Sequence, residues 1–120
     1  MTLERTLLGS VTTDTTGPAE SIEGAMNIGV QFVADVTSGN GVFTLEGTID
    51  GVNWVALPMI TVAANTNAQS LTRVLSVTLS SDTSALVWLD THIALKAIRA
   101  KVDMTTDGTY SAYLIATKPE

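Results

Sequence analysis

The sequence contains no cysteine, one histidine, few aromatic residues and few charges. Without cysteine there can be no disulfide, no thiolate metal site and no cysteine nucleophile. Aromatics at 5% leave little material for stacking platforms on sugars or bases. Charged residues make up 15% of the chain, well below the roughly 25% usual in soluble domains, so much of the surface must be uncharged. Twelve acids against six bases give a formal charge of −6. That balance offers no attraction to a phosphate backbone, and no nucleic-acid partner is expected. The tightest basic group, Lys96, Arg99 and Lys101, reads as solvent-facing strand residues. No run approaches the roughly 18 apolar residues a membrane-spanning helix requires. Met1 to Ser10 lacks the charged start and long apolar stretch of a signal peptide. A soluble protein is expected.

What is present is β-forming. Apolar residues reach 45% in a chain of 120 residues, enough for one core and too short for two of ordinary size. Threonine supplies much of the uncharged polarity, as at Thr12, Thr13, Thr15, Thr16, Thr105 and Thr106. Its branched Cβ favours extended backbone. Low charge and few aromatics suit a protein that packs against neighbours.

The clearest signal is alternation with period two. Met26, Ile28, Val30, Phe32, Ala34 and Val36 share one face, opposite Asn27, Gly29, Gln31 and Asp35. Ser38, Gly39, Asn40 and Gly41 then predict a hairpin turn. Phe43, Leu45, Gly47 and Ile49 alternate with Val42, Thr44, Glu46 and Thr48 up to Asp50-Gly51, a strong hairpin signal. Asn53 to Ile60 predicts a returning strand that, because Pro58 has no amide to donate, either lies at a sheet edge or ends at that proline, with the edge favoured.

Ala63 to Gln69, with Asn65 and Asn67, reads as a surface loop. Leu71, Arg73, Leu75, Val77 and Leu79 form one face of a further strand. Ser80 to Ser84 breaks the pattern, and Ala85 to Leu89 is an apolar run that is strand or helical turn. Ile98, Ala100, Val102 and Met104 face inward from a strand over Ala97 to Met104. An Asp107-Gly108 turn leads to Tyr110, Ala112, Leu114 and Ala116, alternating with Ser111, Tyr113 and Ile115, and the two strands read as a closing hairpin.

Short strands at spacings of about ten residues, separated by Gly, Asn, Asp and Ser, predict an all-β fold: an antiparallel β-sandwich, jelly-roll-like, of about seven to nine strands. Residues 26 to 120 form its body. Residues 1 to 25, Thr-rich and ending near Gly17-Pro18, read as an N-terminal arm or an extra edge strand anchored by Leu3, Leu7 and Leu8.

A search for chemistry meets missing parts. His92 is the only histidine and lacks the oriented partner a histidine base needs. There is no Gly-x-Ser-x-Gly elbow. Glu46 and Asp50 are near in sequence, but one sits on a strand face and the other opens a turn, which does not make a glycosidase pair. Asp103, Asp107 and Gly108 could offer oxygen to calcium, yet the spacing is not that of an EF-hand and a β-turn explains Asp107-Gly108. Gly39-Asn40-Gly41 lacks the lysine and helix of a phosphate loop. Trp54 and Trp88 read as packing anchors rather than ligand-stacking residues. The expectation is a protein that is not an enzyme, with no cofactor and no metal.

The segment Gly41-Val-Phe-Thr-Leu-Glu-Gly-Thr-Ile-Asp-Gly-Val-Asn-Trp54, continuing to Ala56 and Leu57, resembles a strand, turn, strand unit of two groups. One is the discoidin-like jelly rolls, which are usually longer and often disulfide-linked. The other is the small β-sandwich structural proteins of tailed bacteriophages, including capsid decoration (cement) proteins, which also carry a late strand like Ala97 to Val102 and a final glycine-containing hairpin. The phage resemblance spans roughly residues 26 to 117. It implies a virion structural protein, assembled in the host cytoplasm, whose copies seat on the phage head and bind the major capsid protein or another virion protein. It further implies a homo-oligomer, with a trimer favoured. Residues 1 to 25 would order on the shell or a neighbouring subunit by strand addition, with Leu3, Leu7 and Leu8 as partner-binding residues. A phage tail or fibre component is the alternative, as is a discoidin-like carbohydrate- or surface-binding module using Trp54.

Overall fold

A computed structural model describes residues 2–22, 24–36, 39–62, 71–80, 82–89, 95–105 and 108–117. Alternation, β-branched residues and Gly/Asn/Asp punctuation produce twelve strands and no helix among them. In chain order these are β1 (Thr2–Val11), β2 (Thr15–Thr16), β3 (Glu20–Ser21), β4 (Met26–Asp35), β5 (Asn40–Thr48), β6 (Val55–Ala56), β7 (Met59–Val62), β8 (Leu71–Val74), β9 (Val77–Ser80), β10 (Thr83–Leu89), β11 (Ala97–Met104) and β12 (Thr109–Thr117). Every pairing is antiparallel.

Two sheets result. Sheet A runs β1-β12-β4-β10-β7-β8. Sheet B is centred on the β11-β5 pair, with β2 and β3 sharing the outer edge of β11, and β6 and β9 sharing that of β5. The all-β sandwich expected from alternation is the observed architecture. It has more strands than the seven to nine expected, because several extended runs are divided between the sheets.

The core lies where inward faces meet. Phe32 of sheet A stacks on Phe43 of sheet B with centroids 4.6 Å apart, and Phe43 meets the edge of Tyr110 at 5.8 Å. All three are fully buried, surrounded by Leu45, Ile98, Val102, Ala112 and Leu114. The scarce aromatics are thus concentrated at the junction of the sheets, where each contributes most apolar area.

Several local expectations are corrected. The turn after β4 and the turn before β12 are not hairpins: β4 and β12 lie in sheet A, while β5 and β11 lie in sheet B. Both connections cross the sandwich. Parity alone does not distinguish the cases, since a hairpin and a crossing both keep apolar residues facing inward. The run 53–60 is not one edge strand; it pairs with β5 at Val55–Ala56 and then passes into sheet A at Met59, with Leu57-Pro58 at the transfer. Proline, unable to donate to a ladder, sits where the ladder is left. The run 71–79 likewise divides into β8 in sheet A and β9 in sheet B, with Leu75 exposed between them. Ile49, expected inside, is exposed because β5 ends at Thr48. Ala85 to Leu89, left between two readings, is strand β10.

The strands before β4 are divided between the sheets, β1 in sheet A and β2 and β3 in sheet B. β1 pairs with β12 from Thr2↔Thr117 to Val11↔Tyr110, with register shifts on both sides of Leu8. These irregularities are β-bulges, which let two consecutive side chains, Leu7 and Leu8, both turn inward. The chain then crosses to sheet B. The Asp14 carboxylate accepts from Met104 N at 2.7 Å, Gly17 N donates to the Ala100 carbonyl at 2.8 Å and Ile22 N to the Lys96 carbonyl at 3.1 Å. Side-chain space is absent at Gly17, where a Cβ would lie 2.2 Å from the Leu7 carbonyl oxygen.

Candidate interaction surface

The two outward faces differ in chemistry. On sheet B the register sets Glu46 beside Arg99. Arg99 Nε donates to Glu46 Oε1 at 2.8 Å, and the guanidinium carbon lies 4.2 Å above the Trp54 ring centroid. Planar guanidinium satisfies both partners at once, one in its plane and one on its face. Lys101 Nζ approaches Asp103 Oδ2 at 3.9 Å. The basic group seen in the sequence is therefore interleaved with acids and makes no cationic patch. Trp54 is half-buried with one face covered by Arg99, neither a core anchor nor an open stacking platform.

The Asp50 carboxylate organises the turn that follows β5. Oδ1 accepts from Thr48 Oγ1 at 3.0 Å and from the amides of Val52 and Asn53, each at 2.8 Å, while Oδ2 accepts from Asn53 Nδ2 at 2.7 Å. Gly51 takes φ +83° and donates its amide to Thr48 Oγ1 at 2.9 Å. The two backbone amides, followed by the side-chain donors of Asn53 and Thr48, hold the Asp50 carboxyl far below its ordinary range. Glu46 and Asp50 are thus committed to separate structural tasks.

Sheet A presents the opposite character outward. Leu86 is 68% exposed, Ile115 53%, Tyr113 44% and Trp88 38%. Trp88, expected in the core, points out because Val87 takes the inward position on β10. The ladders align these residues in two rows. One runs Glu4, Ile115, Gly29, Trp88, Ile60, Arg73 across all six strands. The other runs Thr6, Tyr113, Gln31, Leu86. Between the end residues Glu4 and Arg73 the long row carries no charge. Monomeric proteins seldom spread several large apolar side chains over one face without a use for it.

A sequence signal for this face existed. Tyr113 and Ile115 occupy the polar parity of β12, and Leu86 and Trp88 make β10 apolar on both faces. Strands apolar on both faces are covered on both faces.

The sequence-predicted partner residues lie elsewhere. Leu3, Leu7 and Leu8 are buried in the chain's own core, so their side chains form no surface in this fold. His92, Asp107, and the loop Ala63 to Gln69 fall outside the described residues. Asp103 lies on β11 beside Lys101. Among the described residues no three His, Asp or Glu side chains gather as a metal site, and no helix is long and apolar enough to cross a membrane. A cleft of about 180 Å³ lined by Glu4, Arg5, Thr6, Tyr113 and Leu114 opens at the β1 edge of sheet A, smaller than the roughly 300 Å³ at which small-molecule pockets begin.

The fold and these faces define a two-sheet antiparallel β-sandwich with an apolar outer face. No family model matches the chain, and no curated protein matches it. Among solved structures it is similar to the crystal structure of SPBc2 prophage-derived protein YomS, with a TM-score of 0.69 at 14% identity over 98% of this chain and 94% of that one. At that identity the likeness shows a shared fold, extending over nearly the whole of both molecules.

Proposed function

We propose that this chain is a non-enzymatic structural protein of a tailed-phage particle, acting as a decoration protein that binds the assembled head through the major capsid protein and stabilises it. The observation that carries this reading is the fold shared with a prophage-derived protein over 98% of this chain and 94% of the other. Two features of the molecule accord with it. The nearby carboxylates Glu46 and Asp50 are engaged in holding strands and a turn. The broad feature left for interaction is an apolar sheet face, suited to a macromolecular neighbour.

Particles purified from a host carrying the coding phage, separated into heads and tails and analysed by quantitative mass spectrometry, test the proposal. Many copies per head are expected. Recovery in the tail fraction would instead make it a tail or fibre component, and absence from particles would overturn the virion role.

A further inference from the structure

We infer that the outer face of sheet A binds a second copy of this chain, face to face about a two-fold axis running between β4 and β10 and parallel to the strands. The inference rests on the geometry of that face and not on the virion role.

Of the six strands three, β1, β12 and β4, lie on one side of the line between β4 and β10, and three, β10, β7 and β8, lie on the other. A two-fold axis along that line, in the plane of contact, sets each strand against its counterpart on the other side. β1 meets the partner's β8, β12 meets β7, and β4 meets β10. Isologous interfaces require self-complementarity of this kind.

The long row meets that requirement position by position. Glu4 at one end falls opposite Arg73 at the other, so each copy contributes one acid and one base to two symmetric ion pairs at the rim. Ile115 falls opposite Ile60. Gly29, which presents no side chain, falls opposite Trp88, the largest side chain on the face. The nearest atom to the place of a Gly29 Cβ is Ile115 Cγ2 at 3.8 Å, an ordinary van der Waals distance, so the indole meets backbone and the Ile115 methyl there and no side chain of Gly29. In the second row Leu86 falls opposite Gln31, whose alkyl stem can cover it.

Charge supports the same occupant. Two chains of formal charge −6 repel each other, and the face on which they can best meet is one whose interior is uncharged. Sheet B, with Glu46, Arg99, Lys101 and Asp103 in its two central strands, would have to desolvate charges to do the same. The trimer implied by the phage resemblance is replaced in this proposal by a dimer, because pairing across the β4-β10 line is two-fold.

The intact protein tests this by sedimentation equilibrium with four variants. The wild type is expected to be a dimer at micromolar concentration. Leu86→Glu, at a position 68% exposed, should match the thermal midpoint of wild type diluted to monomer and weaken association by about a hundredfold or more, since it sets a carboxylate in a desolvated contact. Glu4→Arg and Arg73→Glu should each weaken the dimer by roughly tenfold, as two rim pairs become repulsive. The double variant Glu4→Arg, Arg73→Glu should recover most of that loss. A wild type that remains monomeric, or forms trimers, overturns the proposal. So does a dimer indifferent to Leu86→Glu, and failure of the double variant to recover overturns the two-fold register.

Discussion

Gly41 on β5 lies flat against the ring of Tyr110 on β12, so that a Cβ at Gly41 would sit 2.3 Å from Tyr110 Cε1. The contact joins the two sheets at a point where the ring cannot retreat, because Tyr110 is fully buried and packs against Phe43 in a T-shaped pair with centroids 5.8 Å apart. Gly41→Ala should therefore destabilise the fold by about 1–3 kcal/mol or more through overpacking. Urea unfolding measures it. Combined with Tyr110→Leu the losses should be less than additive, since the smaller side chain removes the clash.

The turn held by Asp50 makes a pH prediction. Its carboxyl is depressed from an ordinary value of 3.8 by the amides of Asn53 and Val52 and by the side chains of Asn53 and Thr48. The unfolded chain therefore takes up this proton at higher pH than the folded chain does. The stabilising contribution is fully present above the ordinary value and is lost progressively as pH falls below it toward the depressed folded value. Asp50→Asn, which cannot ionise, should show a flatter decline of stability between pH 5 and 3, measured by denaturant unfolding across that range.

Deleting residues 2–11 should prevent folding altogether. The deletion removes Leu3, Leu7 and Leu8, each buried, at about 1.5–3 kcal/mol apiece in lost burial, and strips β12 of one of its two neighbours. Domain stabilities of about 5–15 kcal/mol leave little after such a loss. Circular dichroism and proteolysis distinguish this outcome from that of a dispensable arm, whose removal would leave the fold intact. Leu7→Ala alone should cost about 2–5 kcal/mol.

Arg99 connects Glu46 to Trp54, and the conservative change tests that geometry. Arg99→Lys keeps the charge but loses the planar stack and the directed Nε contact. In a Trp88→Phe background, which isolates Trp54, its emission should shift to the red as the ring gains solvent, with a stability loss of about 1 kcal/mol. Unchanged emission would mean that the guanidinium does not cover the ring.

Much of this molecule is legible in its sequence. Alternation alone identifies the inward residues of β4, β5, β11 and β12, and Ile28, Val30, Phe32, Phe43, Leu45, Ile98, Val102, Tyr110 and Leu114 are all buried as expected. The all-β class and the Asp50-Gly51 turn follow from the same short-range rules, because side-chain direction repeats every two residues and positive φ is concentrated at glycine. The apolar outer face of sheet A was only partly legible. Tyr113, Ile115, Leu86 and Trp88 stand out as apolar residues on the wrong parity, but their union into one surface requires the ladders that bring β12, β4 and β10 together.

The sequence by itself determined which residues turn inward and where the chain changes direction, since both are decided by a few neighbouring residues. Only the tertiary structure decided which sheet each strand joins. β4 and β5 lie in different sheets, as do β11 and β12, Leu57-Pro58 and Leu75-Ser76 transfer single runs from one sheet to the other, and the bulges around Leu8 seat two consecutive leucines in the core. Hydrogen-bond partners are chosen among strands distant in sequence, and every one of these arrangements buries apolar side chains that local alternation describes equally well.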